Sequence, residues 1–198
     1  MEDKALIVVD VQKAFEDEKW GERNNPEAEE NIAKLLDFWR VNGWKVIFIQ
    51  HMNEKPQSVF HPSGEGYKIK KIVEPLDNEV VLTKTVNSAF IGTDLEDILR
   101  TNELNTVVIT GLTTPHCVST TTRMSGNLGF KTYLVSDAIA AFELYDHNGK
   151  HFSAEEVHDV SLATLQEEFA TILSTEQLIA HFGHRDRSLV PFGSRNIR

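Results

Sequence analysis

The sequence predicts an α/β fold, a doubly wound six-stranded parallel sheet with helices on both faces. Three observations carry that expectation. Short, continuous apolar runs rich in β-branched residues recur along the chain, as strands buried on both faces of a parallel sheet require. Between them lie segments whose apolar residues return at helical spacing behind recognisable start signals. The alternation runs through the chain without an internal repeat, so right-handed crossovers place helices on both sides of one sheet in a three-layer, Rossmann-type arrangement.

Taken in order, Ala5–Val9 is the first buried strand and ends at Asp10. Asn25-Pro26 offers an N-cap and a first-turn proline to a helix whose face repeats Ala28, Ile32, Leu35, Leu36 and Trp39 and which closes at Asn42-Gly43. The acidic run Glu27 to Glu30 reads as its solvated first turn. Strands follow near Val46–Ile49 and Val80–Thr83, then a helix opened by a capping box at Thr93-Asp94-Leu95-Glu96, then a strand at Thr106–Ile109. After Cys117 a helix runs to Gly126 or Gly129. A strand at Thr132–Val135, a helix capped by Ser153 with Glu156 three residues on, a strand at Ala170–Leu173 and a short helix over 175–182 complete the pattern.

A length of 198 residues suits one domain, expected over 1–182. The remainder, 183–198, carries four Arg against one Asp, and its Leu189–Ser194 run is one residue away from a protease-cleavage linker of expression vectors, so it is set apart as a C-terminal tail, either a vector scar or a docked natural arm. The net charge of −10 repels nucleic acid and anionic membranes. No stretch reaches the length of a membrane span, and Glu2 and Asp3 interrupt the basic start of a signal peptide, which points to the cytoplasm. One cysteine excludes an internal disulfide, leaving Cys117 as packing, a redox sensor or a nucleophile.

In a doubly wound sheet, ligands bind at the carboxyl ends of the strands. Asp10 ends the first strand, Lys84 the third, and Cys117 opens the helix after the fourth. A helix N-terminus and a neighbouring ammonium both favour thiolate, so Cys117 is expected to be an activated, low-pKa nucleophile. Asp10 can take its proton, return it to a leaving amine and then activate water.

Three segments together resemble the isochorismatase-like cysteine hydrolases, the superfamily of nicotinamidases, N-carbamoylsarcosine amidohydrolase and isochorismatase. They are Val8-Val9-Asp10-Val11-Gln12-Lys13-Ala14-Phe15, Lys84-Thr85-Val86-Asn87-Ser88-Ala89-Phe90 and Gly111-Leu112-Thr113-Thr114-Pro115-His116-Cys117-Val118. The resemblance implies a catalytic triad of Asp10, Lys84 and Cys117. It also implies a cis peptide at Leu112-Thr113 and an oxyanion hole from the backbone N–H groups of Thr113 and Cys117. It further implies a homo-oligomer, dimer or tetramer. Metal-dependent nicotinamidases carry Asp-x-His after the second strand. Here that segment is Gln50-His51-Met52-Asn53, with His61 downstream, so no metal and no other cofactor is expected. Pro115 stands where relatives carry an acidic or amide residue, which alters the wall before the nucleophile.

The expected activity is hydrolysis of a small-molecule amide or ureido compound through a Cys117 acyl-enzyme. One alternative is an isochorismatase-type enol-ether hydrolase using Asp10 without covalent catalysis. Another is a non-catalytic binding or redox-sensing relative. Phe15 and Phe90 are candidates to line an apolar pocket, and His51, His116 and His158 to bind substrate. Residues 51–79 and 141–153 are expected to shape that pocket, with Asp146–His151 as a polar loop or lid. No Gly-x-Gly-x-x-Gly follows the first strand, which disfavours a dinucleotide site.

Overall fold

The structure, a computed structural model, describes residues 4–186. Its strands are β1 (Lys4–Val9), β2 (Lys45–His51), β3 (Val80–Lys84), β4 (Thr106–Leu112), β5 (Lys131–Ala140), β6 (Leu144–Tyr145), β7 (His151–Phe152) and β8 (Thr171–Leu173). Six of them form one parallel sheet in the order β3-β2-β1-β4-β5-β8. The chain winds outward from β1 in one direction, returns to β4, and winds outward in the other. The switch point therefore lies between β1 and β4, and the crevice where ligands bind opens above their carboxyl ends.

The apolar run of β1 explains why it sits at the centre. Ala5, Ile7 and Val9 point into one core with Ile47, Val107, Ile109 and Leu134, while Leu6 and Val8 point into the other with Phe48, Val108 and Tyr133. A strand polar on alternate positions could not occupy that place. Truncating Ile7 to Ala, fully buried as it is, should cost about 2–5 kcal/mol. Helices α1 (Ala28–Val41) and α5 (Thr175–Asp186) cover the second core through Ile32, Leu35, Leu36, Trp39, Leu178 and Phe182. Helices α2 (Leu95–Thr101), α3 (Ser119–Asn127) and α4 (Ala154–Ala163) lie on the other face. Among the described residues no helix is long and apolar enough to cross a membrane.

Several local expectations are corrected. Asn25 does not cap α1. It adopts φ 43°, and its amide donates to the carbonyls of Ser136 and Ile139, so it ties the loop to β5 while α1 starts at Ala28 without a side-chain cap. Glu29 is not solvated: it is buried and pairs with Arg23 at 2.7 Å and Lys70 at 2.9 Å. No capping box forms at Thr93. Its hydroxyl donates to the Ala89 carbonyl, and Glu96 pairs with Arg100 instead. The box at Ser153 and Glu156 does form, each side chain bonding the other's backbone N–H. Residues 146–150 are the turn of the β6–β7 hairpin. The last helix continues through Asp186, beyond the expected boundary at 182, and the remaining tail, 187–198, lies outside the described residues.

Candidate active site

The crevice brings the three strand-end residues together. Asp10 leaves β1 in the left-handed region (φ 52°), a conformation Asp tolerates better than most, and its N–H donates to the Ile49 carbonyl at 2.9 Å. Gly111 near the end of β4 has φ 121°, and a Cβ there would come within 2.0 Å of the Val9 carbonyl oxygen, so only glycine lets β4 approach β1 this closely. The Leu112–Thr113 peptide is cis, and Thr114–Val118 then makes one turn of π-helix that carries Cys117 ahead of α3. Lys84, the last residue of β3, is fully buried.

At the centre is the Lys84 ammonium. Its Nζ donates to Asp10 Oδ2 at 2.6 Å, to His51 Nδ1 at 3.2 Å and to Cys117 Sγ at 3.4 Å. An ammonium has three N–H groups and no acceptor, so these contacts use all of them. Asp10 Oδ1 is left buried without a partner. Burial pushes the Asp10 carboxyl up despite the adjacent Lys84 charge. Burial and the Asp10 charge push the Cys117 thiol up to about 12, against the opposing pull of Lys84. This overturns the expected low-pKa thiolate: desolvation outweighs the helix end and the ammonium, and the resting cysteine is a thiol. The two acids share one cation, so the neutral state of the buried cluster holds one proton between them.

Asp10, His51 and Cys117 also place one donor atom each within 4.8 Å of one another, a spacing that would suit a metal ion. The Lys84 ammonium already stands at the focus of that set and neutralises it. His61 is not among these groups; its Nδ1 meets the Ser63 hydroxyl at 2.8 Å.

Above Cys117 is a cavity of about 210 Å³ with one aromatic wall and one polar wall. Phe15, Trp20 and Phe60 form the first, in mutual ring contact at 5.3–6.4 Å between centroids. His51, Asn87, Thr113 and His116 form the second. A second cavity of about 160 Å³ shares Trp20, Thr113 and His116 with the first and is also lined by Lys19, Phe142 and Glu143. A larger depression, about 420 Å³, lies at the opposite, amino ends of β2, β3 and β4, far from this chemistry.

Of the expected binding residues, Phe15, His51 and His116 line the cavity. Burial lowers the pKa of His116, and its Nδ1 pairs with the Thr113 hydroxyl at 3.0 Å. Phe90 and His158 do not line it. Phe90 stacks on Phe130 against the core, 6.0 Å between centroids. His158 is buried behind the Thr114–Val118 turn, where it pairs with the Thr114 hydroxyl at 3.0 Å and the Ser136 backbone. Trp20, Phe60, Asn87 and Gln12 are functional neighbours that the sequence reading did not single out. Phe60 falls within the 51–79 segment expected to shape the pocket, and Asn87 lies inside the Lys84 motif. Nothing in sequence alone signalled Trp20.

Fold and site together define a three-layer α/β hydrolase whose strand-end cysteine, aspartate and lysine form one buried cluster. Residues 4–177 match the model of the isochorismatase domain, and the chain belongs to the isochorismatase family. It is 67% identical over 181 residues to the uncharacterized isochorismatase family protein YrdC of Bacillus subtilis, covering 91% of this chain and 97% of that one. An isochorismatase-family structure from Chromobacterium violaceum superposes with a TM-score of 0.90 at 40% identity, covering 93% of this chain and 95% of the other. A cysteine hydrolase structure from Pseudomonas syringae gives a TM-score of 0.84 at 26% identity, with coverage of 92% and 93%.

Proposed function

We propose that the protein hydrolyses a small, uncharged amide or ureido compound through a Cys117 acyl-enzyme. The observation that carries this reading is the Lys84 ammonium bridging Asp10 Oδ2 and Cys117 Sγ beneath the cavity that Cys117 lines. Asp10 takes the thiol proton as Sγ attacks the carbonyl carbon, and Lys84 holds the cluster neutral while charge moves. The backbone N–H groups of Thr113 and Cys117 receive the oxyanion. Asp10 passes its proton to the leaving nitrogen, the C–N bond breaks, and ammonia or an amine departs. Asp10 then deprotonates a water that attacks the thioester, and the acid leaves with the thiol restored.

Size and polarity support the substrate class. A cavity of about 210 Å³ suits a compact acyl group, and none of the side chains lining it beside Cys117 is a Lys or Arg that would pair a carboxylate; Lys19 lines only the neighbouring cavity. Ammonia release across a panel of small amides and ureas, with intact-mass detection of a Cys117 adduct, tests the proposal. Turnover without any adduct, even on rapid quenching, refutes it.

One observation favours the second reading, enol-ether hydrolysis with Cys117 as a bystander: the raised pKa of Asp10 suits a proton donor. In that reading Cys117→Ala keeps its activity. A redox sensor fits poorly, because such cysteines are exposed and thiolate-prone, whereas this one is 9% exposed with a raised pKa.

A further inference from the structure

We infer that His51 selects the substrate, its Nε2–H donating to a neutral acceptor two bonds from the attacked carbonyl carbon on a flat, uncharged acyl group. This deepens the acyl-enzyme reading above and rests on it.

The tautomer follows from Lys84. An ammonium only donates, so the Nδ1 of His51, 3.2 Å away, must be the acceptor, and the ring proton sits on Nε2. Burial and the Lys84 charge push the pKa of His51 down to about 4, so the neutral ring persists through ordinary pH. The side chain lines the cavity, and among the described residues its Nε2 has no hydrogen-bond partner. It is a donor aimed at whatever occupies the site.

The ring is also firmly held. Buried Gln12 accepts from the His51 N–H at 2.8 Å and donates to the His51 carbonyl at 3.0 Å, so one amide side chain clamps the whole backbone unit. Phe60 packs edge-on at 5.0 Å between ring centroids. A ring nitrogen of His51 lies within 4.8 Å of Cys117 Sγ. With Nδ1 taken by Lys84, the Nε2–H is assigned to an acceptor two bonds from the carbon bound to sulfur. The other substituent, the leaving nitrogen, needs a proton from Asp10 in the tetrahedral state and gains nothing from a second donor. The Phe15, Trp20 and Phe60 wall favours a planar acyl group, and Lys84 has no N–H left for an anionic one.

The test uses aldehydes, which add to the cysteine and stop. The S–H bond adds across C=O: Sγ bonds the carbon, the π bond breaks, and the thiol proton ends on oxygen. Pyridine-2-carbaldehyde places its ring nitrogen two bonds from the carbonyl carbon. Pyridine-4-carbaldehyde is similarly activated but holds the nitrogen remote. With each aldehyde ¹³C-labelled at the carbonyl, NMR titration gives the dissociation constant of the tetrahedral adduct. The expected result is tighter binding of the 2-isomer by about 5- to 10-fold, the worth of one neutral hydrogen bond. The preference should vanish in His51→Asn, whose carbonyl still accepts from Lys84 but whose shorter side chain places no N–H at the Nε2 position, and should survive in His51→Gln, which returns an N–H near Nε2. Nitrogen-15 NMR of the wild-type imidazole should show Nε2 protonated and Nδ1 bare at pH 7. Equal binding of the two isomers, or an Nδ1–H tautomer, overturns the inference and leaves the nucleophile standing. Failure of both aldehydes to form any tetrahedral adduct overturns the nucleophile as well.

Discussion

Replacing Asp10 with Asn should make Cys117 a worse catalyst and a better target for alkylation. In the wild type the thiol is pushed up to about 12, by burial first and the Asp10 charge second. At pH 7.5 a thiol with that pKa is about 3 × 10⁻⁵ ionised, against about a tenth for an unperturbed thiol of pKa about 8.5. The more basic thiolate is intrinsically more nucleophilic, which recovers a factor of roughly 30 to 50 at a Brønsted slope of 0.4–0.5. Iodoacetamide should therefore label the resting enzyme about 100-fold more slowly than a free thiol. Asp10→Asn removes the carboxylate that disfavours thiolate and leaves Lys84, 3.4 Å from Sγ, without its counter-ion. Thiolate becomes the group that balances the ammonium, and labelling should accelerate about 10-fold or more. Hydrolysis should fall by about 10²–10⁴, because an amide can neither take the thiol proton nor activate the deacylating water. The assay pairs timed labelling, read by intact mass, with ammonia release from the best substrate on one preparation of each protein. Wild-type labelling faster than a free thiol, or an Asn variant that labels no faster, would refute the charge balance assigned to this cluster.

Cys117→Ala should lose turnover while its melting temperature stays within a few degrees, since one small side chain at the cavity floor is removed. Lys84→Met strips the cation from a fully buried pair, which should cost about 3–5 kcal/mol in urea unfolding at pH 7 unless Asp10 protonates, and activity should shift to higher pH as both acids titrate later. Activity should survive exhaustive chelation, because the Asp10, His51 and Cys117 donors are already turned on Lys84; loss on chelation with recovery on added zinc would show that an ion displaces that ammonium. Glu29, lowered to about 2 by Arg23 and Lys70 against the cost of burial, contributes stability that is fully present above its unfolded value of 4.5 and is lost as pH falls through about 2. Glu29→Gln should then destabilise by about 2 kcal/mol at pH 7, a gap between the urea curves that closes toward pH 2.

The fold was legible because its signals are redundant. Five buried residues in a row at Ala5–Val9 have few homes other than the middle of a parallel sheet, and the strands flanking them repeat the signature. The local start signals were less dependable. The Thr93 and Ser153 segments share a capping-box pattern, yet only the second forms one: the Thr93 oxygen accepts from the Leu95 N–H while its hydroxyl donates to the Ala89 carbonyl, and Glu96 turns to Arg100. Asn25 is diverted in the same way by two carbonyls of β5, more than 100 positions away in sequence. Partners of that kind cannot be read from a local window. The aromatic wall was hidden for a related reason: Trp20 and Phe60 meet only after two loops fold over the strand ends.

The positions of Asp10, Lys84 and Cys117 were legible, but their electrostatics were not. A helix end and a lysine near a cysteine argue for thiolate wherever water can reach the group. Here Cys117 is 9% exposed, and Asp10 and Lys84 are at most 1% exposed, so the cost of separating charge exceeds what either feature returns. What decides the protonation state is the count of charges inside the enclosure. With one ammonium and two acids, one proton must stay, and on the proposed acyl-enzyme reading it stays on sulfur until a carbonyl carbon arrives to take up the electron pair. In that reading the arrangement should keep Cys117 quiet toward small oxidants and alkylating agents. The proposed mechanism then gives Asp10 the same proton to hand on to the leaving nitrogen, so the proton that masks the thiol at rest would be the one the C–N bond needs in order to break.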